Sequence, residues 1–368
     1  MKIPFVDLKA QYESIKPEVD GAIAKVISDT AFIKGSFVSE FEEAYREKYS
    51  VKHCIGVGNG TDAIYIALRM MGIGEGDEVI TTASSWISTS EAISQTGARP
   101  VFVDIDPDYY TLDPSLVEDK ITPRTRAIIP VHLYGQIADM ETLMGIAGKH
   151  KLLVLEDCAQ AHLAEQGGKL AGTFGEVATF SFFPGKNLGA YGDAGAVITN
   201  DDELARKIRM FANHGAMVKH THEFEGVNSR LDGMQAAILS AKLPHLDQWT
   251  GLRIKLAARY SEMLATVKEV HCPPTRPDSK HVFHVYNIRC ERRDQLRAHL
   301  EKAGVSVAIH YPTALPNMPA YKYLGHKESD FPVASSYSPQ ILSLPIYPEM
   351  GEDLQGYVVE RIREFYSA

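Results

Sequence analysis

Residues 152–162 read LLVLEDCAQAH. Four consecutive apolar residues stop abruptly at an acidic pair. An unbroken apolar run, as opposed to an alternating one, is what a strand covered on both faces needs, and such strands belong to parallel sheets flanked by helices. Upstream lies a helical stretch, Asp139–His150, and before it a second apolar run, Ala127–His132 (AIIPVH). The strand Pro100–Val103, the helical Trp86–Gln95, the strand Glu78–Thr82 (EVITT), the helical Thr61–Met71 and the strand His53–Val57 (HCIGV) continue the pattern towards the N-terminus. Downstream, Val177–Phe182 and Ala196–Thr199 add two more strands. The alternation predicts βαβ crossovers, hence an α/β fold with a mostly parallel central sheet flanked by helices.

The C-terminal part reads differently. A helical pattern runs from about Trp249 to Val270, with Leu252, Leu256, Tyr260 and Leu264 four residues apart. A Pro-rich break at Cys272–Pro277 follows, then an alternating strand His281–Arg289, a helix near Arg293–Ala303, a loop-rich stretch with Pro312, Pro316 and Pro319, and a last helix from about Glu352 to Tyr366. We expect two domains: residues 1–245, including an N-terminal arm, as a large domain, and residues 246–368 as a smaller α+β domain.

Composition narrows the class. With 47 acidic and 38 basic residues the net charge is −9, which argues against a general nucleic-acid binder. Four cysteines without a CxxC pair argue against a zinc ribbon or a redox dithiol. No run of eighteen apolar residues occurs, so no transmembrane helix is expected. The first ten residues are too polar for a secretion signal, and the cytoplasm is the expected compartment.

Four segments carry candidate chemistry. In GVGNGTD (residues 56–62), between a strand and a helix, Gly60, Thr61 and Asp62 can present backbone amides to an anion, although a plain helix cap by Asn59 or Thr61 reads equally well. In EDCAQAH (156–162), Asp157 follows a strand, where ligands bind in open α/β sheets; alone it is as easily a loop residue. In TFSFFPGKNLGAYGDAGA (179–196), Lys186 sits in a turn among Gly185, Gly189, Gly192 and Gly195, a setting able to desolvate an amine and lower its pKa. In GVNSRLD (226–232), Asn228 and Arg230 fit a helix cap as well as a ligand contact. An anion loop, then a carboxylate after a strand, then a lysine about thirty residues later matches what pyridoxal phosphate requires. A dinucleotide-binding Rossmann site is disfavoured, because Thr61 stands where the third glycine would be.

Beyond these readings, the chain resembles the DegT/DnrJ/StrS sugar aminotransferases, fold-type-I pyridoxal-phosphate enzymes acting on nucleotide-linked keto sugars. The resemblance runs through FVDLKAQY (5–12), NGTDAIYIALRMMGIGEGDEVIT (59–81), VDIDPDYYTLDP (103–114), RAIIPVHLYGQIADM (126–140), EDCAQAH, SFFPGKNLGAYGDAGAVITND (181–201), GVNSRLDGMQAAIL (226–239) and HYP (310–312). It implies that Lys186 holds the cofactor covalently and shuttles a proton, and that Asp157 pairs with the pyridinium nitrogen. It further implies Gln160 against the phenolic oxygen or ring face, Trp86 stacked on the ring, and Gly60, Thr61, Asp62 and Ser181 around the phosphate. Asn228 is expected to reach that phosphate from a neighbouring subunit, in a homodimer with shared active sites. Tyr191, His310 and Tyr311 are the candidates for contacting the nucleotide sugar.

The retained Lys186 favours transamination over the family's dehydratases, with L-glutamate as the usual donor and pyridoxamine phosphate formed between half-reactions. The wording PGKNLGAYGDAG is most similar to members that aminate carbon 3 of dTDP-linked 3-keto-6-deoxyhexoses, in deoxysugar biosynthesis such as that of lipopolysaccharide O-antigen. UDP-linked sugars, carbon 4 and a lysine-retaining dehydratase are the alternatives, and a regulatory use of the fold is a more distant one. The loop HYPTALPNMPAY departs from the family's approximate HYPxPLHLQPAY, with Pro316 and Met318 where His and Gln stand. No metal is expected: the pair His220 and His222 lies in a polar stretch, and His281 and His284 would face opposite sides of a strand.

Overall fold

The computed structural model describes residues 2–367. Its centre is a seven-stranded sheet of β1 (His53–Val57), β2 (Glu78–Thr82), β3 (Arg99–Val103), β4 (Thr125–Ile129), β5 (Leu153–Asp157), β6 (Val177–Ser181) and β7 (Gly195–Thr199), in the order β1-β7-β6-β5-β4-β2-β3. Every neighbouring pair is parallel except those made by β7, which runs antiparallel to both β1 and β6. Helices bury apolar residues on both faces. Ile128, Val154 and Ala178 join the core under the helix Ser36–Tyr49, while Ala127, Ile129 and Leu155 join the one under the helix Gly60–Met70. This two-sided burial explains why β5 reads as an uninterrupted apolar run.

Local chemistry sets the helix ends. The helix Gly60–Met70 starts at Asn59, whose Oδ1 accepts from the Asp62 amide at 2.8 Å. The helix Met140–His150 starts at Asp139, whose side chain accepts from the Thr142 amide and hydroxyl. Both caps satisfy amide donors that a helix leaves unpaired in its first turn.

The acidic pair at the end of β5 divides as strand geometry demands, one residue to each face. Glu156 is fully buried on the side away from the cavity described below. Its carboxylate accepts from the amides of Gly172 (2.7 Å), Phe174 (2.7 Å) and Gly175 (2.8 Å) and lies 3.0 Å from His132 Nε2.

The second sheet comprises β8 (Val270–His271), β9 (Tyr286–Cys290) and β10 (Ile341–Leu344), antiparallel in that order. It packs with the helices Leu246–Leu264, Arg293–Lys302 and Glu352–Ser367 around Tyr260 and Tyr286, whose rings lie 5.0 Å apart. Ile3, near the start of the chain, is buried in this core and pairs with Val305. No helix among the described residues is long and apolar enough to cross a membrane.

Three expectations shift. The helix expected over Trp249–Val270 runs from Leu246 to Leu264. The strand expected over His281–Arg289 begins only at Tyr286, because 281–285 leaves the sheet to follow a turn of the large core: the Val282 amide donates to Gly135 O (3.0 Å) and Phe283 has φ 44°. His281 and His284 therefore do not alternate across a strand. The strand β10 is an addition to the expected elements: Ser343 interrupts its apolar run, yet all four of its residues are buried. Replacing Glu156 by Gln would set an amide donor among the three backbone donors. We expect a loss of about 2–3 kcal/mol in urea unfolding, the scale of a buried polar group left unsatisfied.

Candidate active site

A cavity of about 760 Å³ opens beyond the carboxyl ends of β5 and β6 and at the N-terminus of the helix Gly60–Met70. At its anion-seeking end are the free amides of Gly60 and Thr61. Ser181, the last residue of β6, stands directly against them: a Cβ placed on Gly60 would lie 2.7 Å from the Ser181 Cβ. Only glycine lets the helix end approach this closely. The Thr61 and Ser88 hydroxyls are 2.7 Å apart and line the same end.

Across the cavity, Asp157 is 4% exposed. Its Oδ1 accepts from the Ala159 amide at 3.0 Å and its Oδ2 from the Thr89 hydroxyl at 2.7 Å. Two short bonds fix the carboxylate plane and leave lone pairs free for a cationic ring nitrogen. Gln160 is equally fixed: its Oε1 accepts from the Tyr134 amide (2.6 Å) and its Nε2 donates to the Tyr311 hydroxyl (3.1 Å). Trp86 remains 58% exposed, with its ring centroid 5.7 Å from that of Tyr311.

Lys186 projects into the cavity from a turn closed by its own amide donating to Phe183 O at 2.8 Å. Burial lowers its pKa to about 8, against a smaller opposing effect of Asp157. Two histidines join this wall. His310 is lowered to about 4, and His284 well below its ordinary value, chiefly by burial and then by the nearby Lys186. Both are therefore neutral at pH 7. The Ser343 hydroxyl donates to Asn287 Oδ1 (3.0 Å), so it accepts from His310 Nδ1 (2.8 Å) and leaves Nε2 as an acceptor.

Of the residues singled out from sequence, Gly60, Thr61, Asp62, Trp86, Asp157, Gln160, Ser181, Lys186, His310 and Tyr311 all line this one cavity. Tyr191 and Asn228 do not. The Tyr191 amide donates to Gln235 Oε1 at 2.9 Å and its ring lies under Lys242, while Asn228 pairs with Asn213. The sequence reading passed over Thr89, Ser88, His284, Arg253 and Phe5, which also line the cavity. A threonine two residues beyond SSWI carries no signal of its own; only the fold brings it to Asp157.

His132, Glu156 and Cys158 form a buried cluster of metal-ligand type. The atoms of Glu156 and His132 are already engaged. Glu156 accepts the bonds described above, and His132 Nδ1 accepts from the Ala138 amide at 3.1 Å. The cluster is a hydrogen-bonded strut under β5.

The profile of the DegT/DnrJ/EryC1/StrS aminotransferase family matches residues 13–363. This chain belongs to that family. It is 50% identical over 368 residues, all of this chain and 99% of the other, to a protein of Geobacillus stearothermophilus named a pleiotropic regulatory protein. It is 46% identical, over 99% of this chain and 96% of the other, to the dTDP-3-amino-3,4,6-trideoxy-alpha-D-glucose transaminase of Streptomyces venezuelae. The crystal structure of S. venezuelae DesV in complex with a ketimine intermediate superposes with a TM-score of 0.98 at 46% identity, covering 100% of this chain and 99% of that one. The α/β fold with a mostly parallel central sheet is the one read from the sequence.

The donor set fits pyridoxal phosphate. An amide-lined helix end backed by Ser181 suits the phosphate, an oriented carboxylate suits the ring nitrogen, and a desolvated amine suits the aldehyde. The neutral amine is the nucleophile. Its fraction at Lys186 should rise from roughly a tenth at pH 7 to roughly nine tenths at pH 9. We therefore expect the rate at which the cofactor-free chain forms a borohydride-reducible adduct with pyridoxal phosphate to have a midpoint near pH 8. Lys186→Ala should fold and form no such adduct. A midpoint near 10, as for a solvated lysine, would show that the amine is not desolvated.

Proposed function

We propose that this chain is a pyridoxal-5'-phosphate-dependent aminotransferase that moves an amino group from an amino acid, with L-glutamate as donor, to the keto group of a nucleotide-linked sugar. One observation carries the reading: Lys186, Asp157 and the amide end of the helix Gly60–Met70 converge on a single cavity. When bound, the cofactor supplies a protonated pyridine ring that accepts the electron pair released as a substrate C–H bond breaks.

The chain's own residues do the rest. Lys186 Nζ holds the cofactor and then, freed as a weakly basic amine, moves the proton at the reacting carbon. Asp157 keeps a proton on the ring nitrogen, and Thr89 holds that carboxylate in line. Gln160 would lie against the phenolic oxygen or the ring face, and Trp86 would stack on the ring. Gly60, Thr61, Asp62 and Ser181 surround the phosphate. His310 and Tyr311 contact the sugar, and Phe5, whose ring lies 5.6 Å from that of His310, helps to exclude water there.

The sugar we favour is a dTDP-linked 3-keto-6-deoxyhexose aminated at carbon 3. The glycine-rich wording around Lys186 and the dTDP-sugar transaminase at 46% identity support it. A UDP-linked keto sugar, carbon 4, or a sugar dehydration are the alternatives. The reaction belongs to deoxysugar biosynthesis in the cytoplasm, including that of lipopolysaccharide O-antigen. The regulatory name of one relative favours a second reading, sensing; the assembled Lys186 cavity supports catalysis instead. The decisive assay is incubation of the cofactor-loaded chain with L-glutamate. We expect the cofactor spectrum to convert to the amine form with stoichiometric release of 2-oxoglutarate, and no conversion with Lys186→Ala. An unchanged spectrum with every amino donor would overturn the reading.

We further propose a homodimer in which Asn228 of the partner subunit completes the phosphate site. Two features support this: the position of Asn228 outside its own chain's cavity, and the exposed apolar side chains of Ile27, Phe32, Ile33, Met217 and Val218. Mixing inactive Lys186→Ala with cofactor-weak Asn228→Asp subunits should restore about a quarter of the sites, since half of the randomly formed dimers are mixed and each carries one intact site. Absence of any recovery in demonstrably mixed dimers would place Asn228 outside the shared site.

A further inference from the structure

Arg253 has no role in the chemistry above, yet its environment is unusual. It lies on the helix Leu246–Leu264, is 3% exposed and forms part of the cavity wall. Three backbone carbonyls accept from one of its nitrogens: Nη1 donates to Ile346 O (2.9 Å), Phe283 O (3.3 Å) and His284 O (3.4 Å). Nε is buried and, among the described residues, has no acceptor. None of the ion pairs among those residues reaches this guanidinium; Glu349 influences it only at longer range. Buried cations are ordinarily paired, because desolvation without a partner is costly. The clamp at Nη1 fixes the plane of the group and leaves the Nε–Nη2 edge, the fork that matches a carboxylate.

The neighbours decide what this edge serves. His284 and His310 are neutral at pH 7, and Lys186 is committed to the cofactor and to proton transfer. Arg253, lowered by burial only to about 10, is the cation that stays charged throughout. Its small exposed surface also selects the partner: a guanidinium only 3% exposed offers too little for a bulky diphosphate and enough for a small planar anion.

We propose that the Nε–Nη2 edge of Arg253 binds a carboxylate of the amino-acid donor, which makes it the donor-recognition residue of this cavity. This rests on the transaminase reading and names the group through which the donor is held. The interaction is formed in the donor half-reaction and vacated before the keto sugar enters.

The experiment uses the cofactor-loaded enzyme and two variants, Arg253→Lys, which keeps the charge but not the fork, and Arg253→Gln. Glutarate, an unreactive dicarboxylate, serves as the binding probe in calorimetry. We expect its Kd to rise at least tenfold in Arg253→Lys and further in Arg253→Gln. Single-turnover conversion by L-glutamate should lose at least tenfold more kcat/KM than single-turnover amination of the keto sugar by the pyridoxamine form, with thermal midpoints tracking the comparison. A larger loss in the sugar half-reaction, with glutarate binding retained, would assign Arg253 to the diphosphate and overturn the proposal. Equal losses in both half-reactions would reduce Arg253 to a structural clamp and overturn it as well. Wild-type enzyme that converts with glutamate while the variants behave like it sinks only this inference; wild-type enzyme inert to every donor sinks the transaminase reading as well.

Discussion

The site depends on one close approach of backbone to backbone. The Asn59–Gly60 corner, which opens the helix after β1, is pressed between the ends of β6 and β7. A Cβ on Gly60 would meet Ser181 at 2.7 Å, and one on Gly195 would meet Asn59 O at 2.4 Å. Neither contact leaves room for a side chain. The seam forces the helix N-terminus, with its unpaired amides and positive end, onto the end of the strand that leads into the Lys186 turn. Were the corner pushed out by an added methyl group, the anion cradle and the amine would separate together. Two glycines far apart in sequence thus share one function, to let an anion site and a nucleophile occupy one cavity.

The electrostatics follow from that enclosure. Burial makes the amine of Lys186 basic only to about pH 8, and holds His310 and His284 neutral beside it. A wall rich in basic side chains therefore carries little fixed positive charge, apart from Arg253. Asp157 is kept in one orientation by Thr89 and the Ala159 amide, so it would meet a ring nitrogen without reorganising. Such preorganisation is obtained from neutral hydrogen bonds, which is why the chain's net charge of −9 is no obstacle to anionic ligands.

How much of this was legible in the sequence depends on how each residue reaches the cavity. Asp157, at the end of β5, and Lys186, in the glycine-rich turn after β6, were legible from their place beyond strands, whereas Gln160 and Ser181 were reached through the resemblance of the motifs that contain them to the family. The seven strands were legible because two-sided burial leaves apolar runs. Thr89, His284 and Arg253 were not legible. Each is a polar residue in a segment whose periodicity concerns something else, and each enters through a contact between distant pieces of chain. His284 is the clearest case. The alternating pattern HVFHVYNIR predicts a strand from its first residue, but the attraction of Val282 to the Gly135 carbonyl draws 281–285 away from the sheet and carries His284 to the cavity wall. A hydrogen bond spanning more than a hundred residues overrode a local propensity, as tertiary context commonly does.

The same contact explains why the two sheets must act together. The segment 281–285 is anchored at one end on the large core, through Gly135, and at the other on β9, through Tyr286. Arg253 ties its carbonyls at Phe283 and His284 to that of Ile346, just beyond β10. One wall of the cavity is therefore built from the second sheet's own scaffold, while the amine and the anion cradle come from the first. The segment is also tied beside the amine: Asn187 Nδ2 donates to Val282 O (3.2 Å) and His284 Nδ1 lies 3.3 Å from Asn187 Oδ1. The turn that carries the amine and the wall that carries His284 are therefore held in one register. In a reaction of two half-steps sharing one lysine, that coupling keeps the same wall in place beside the amine in both.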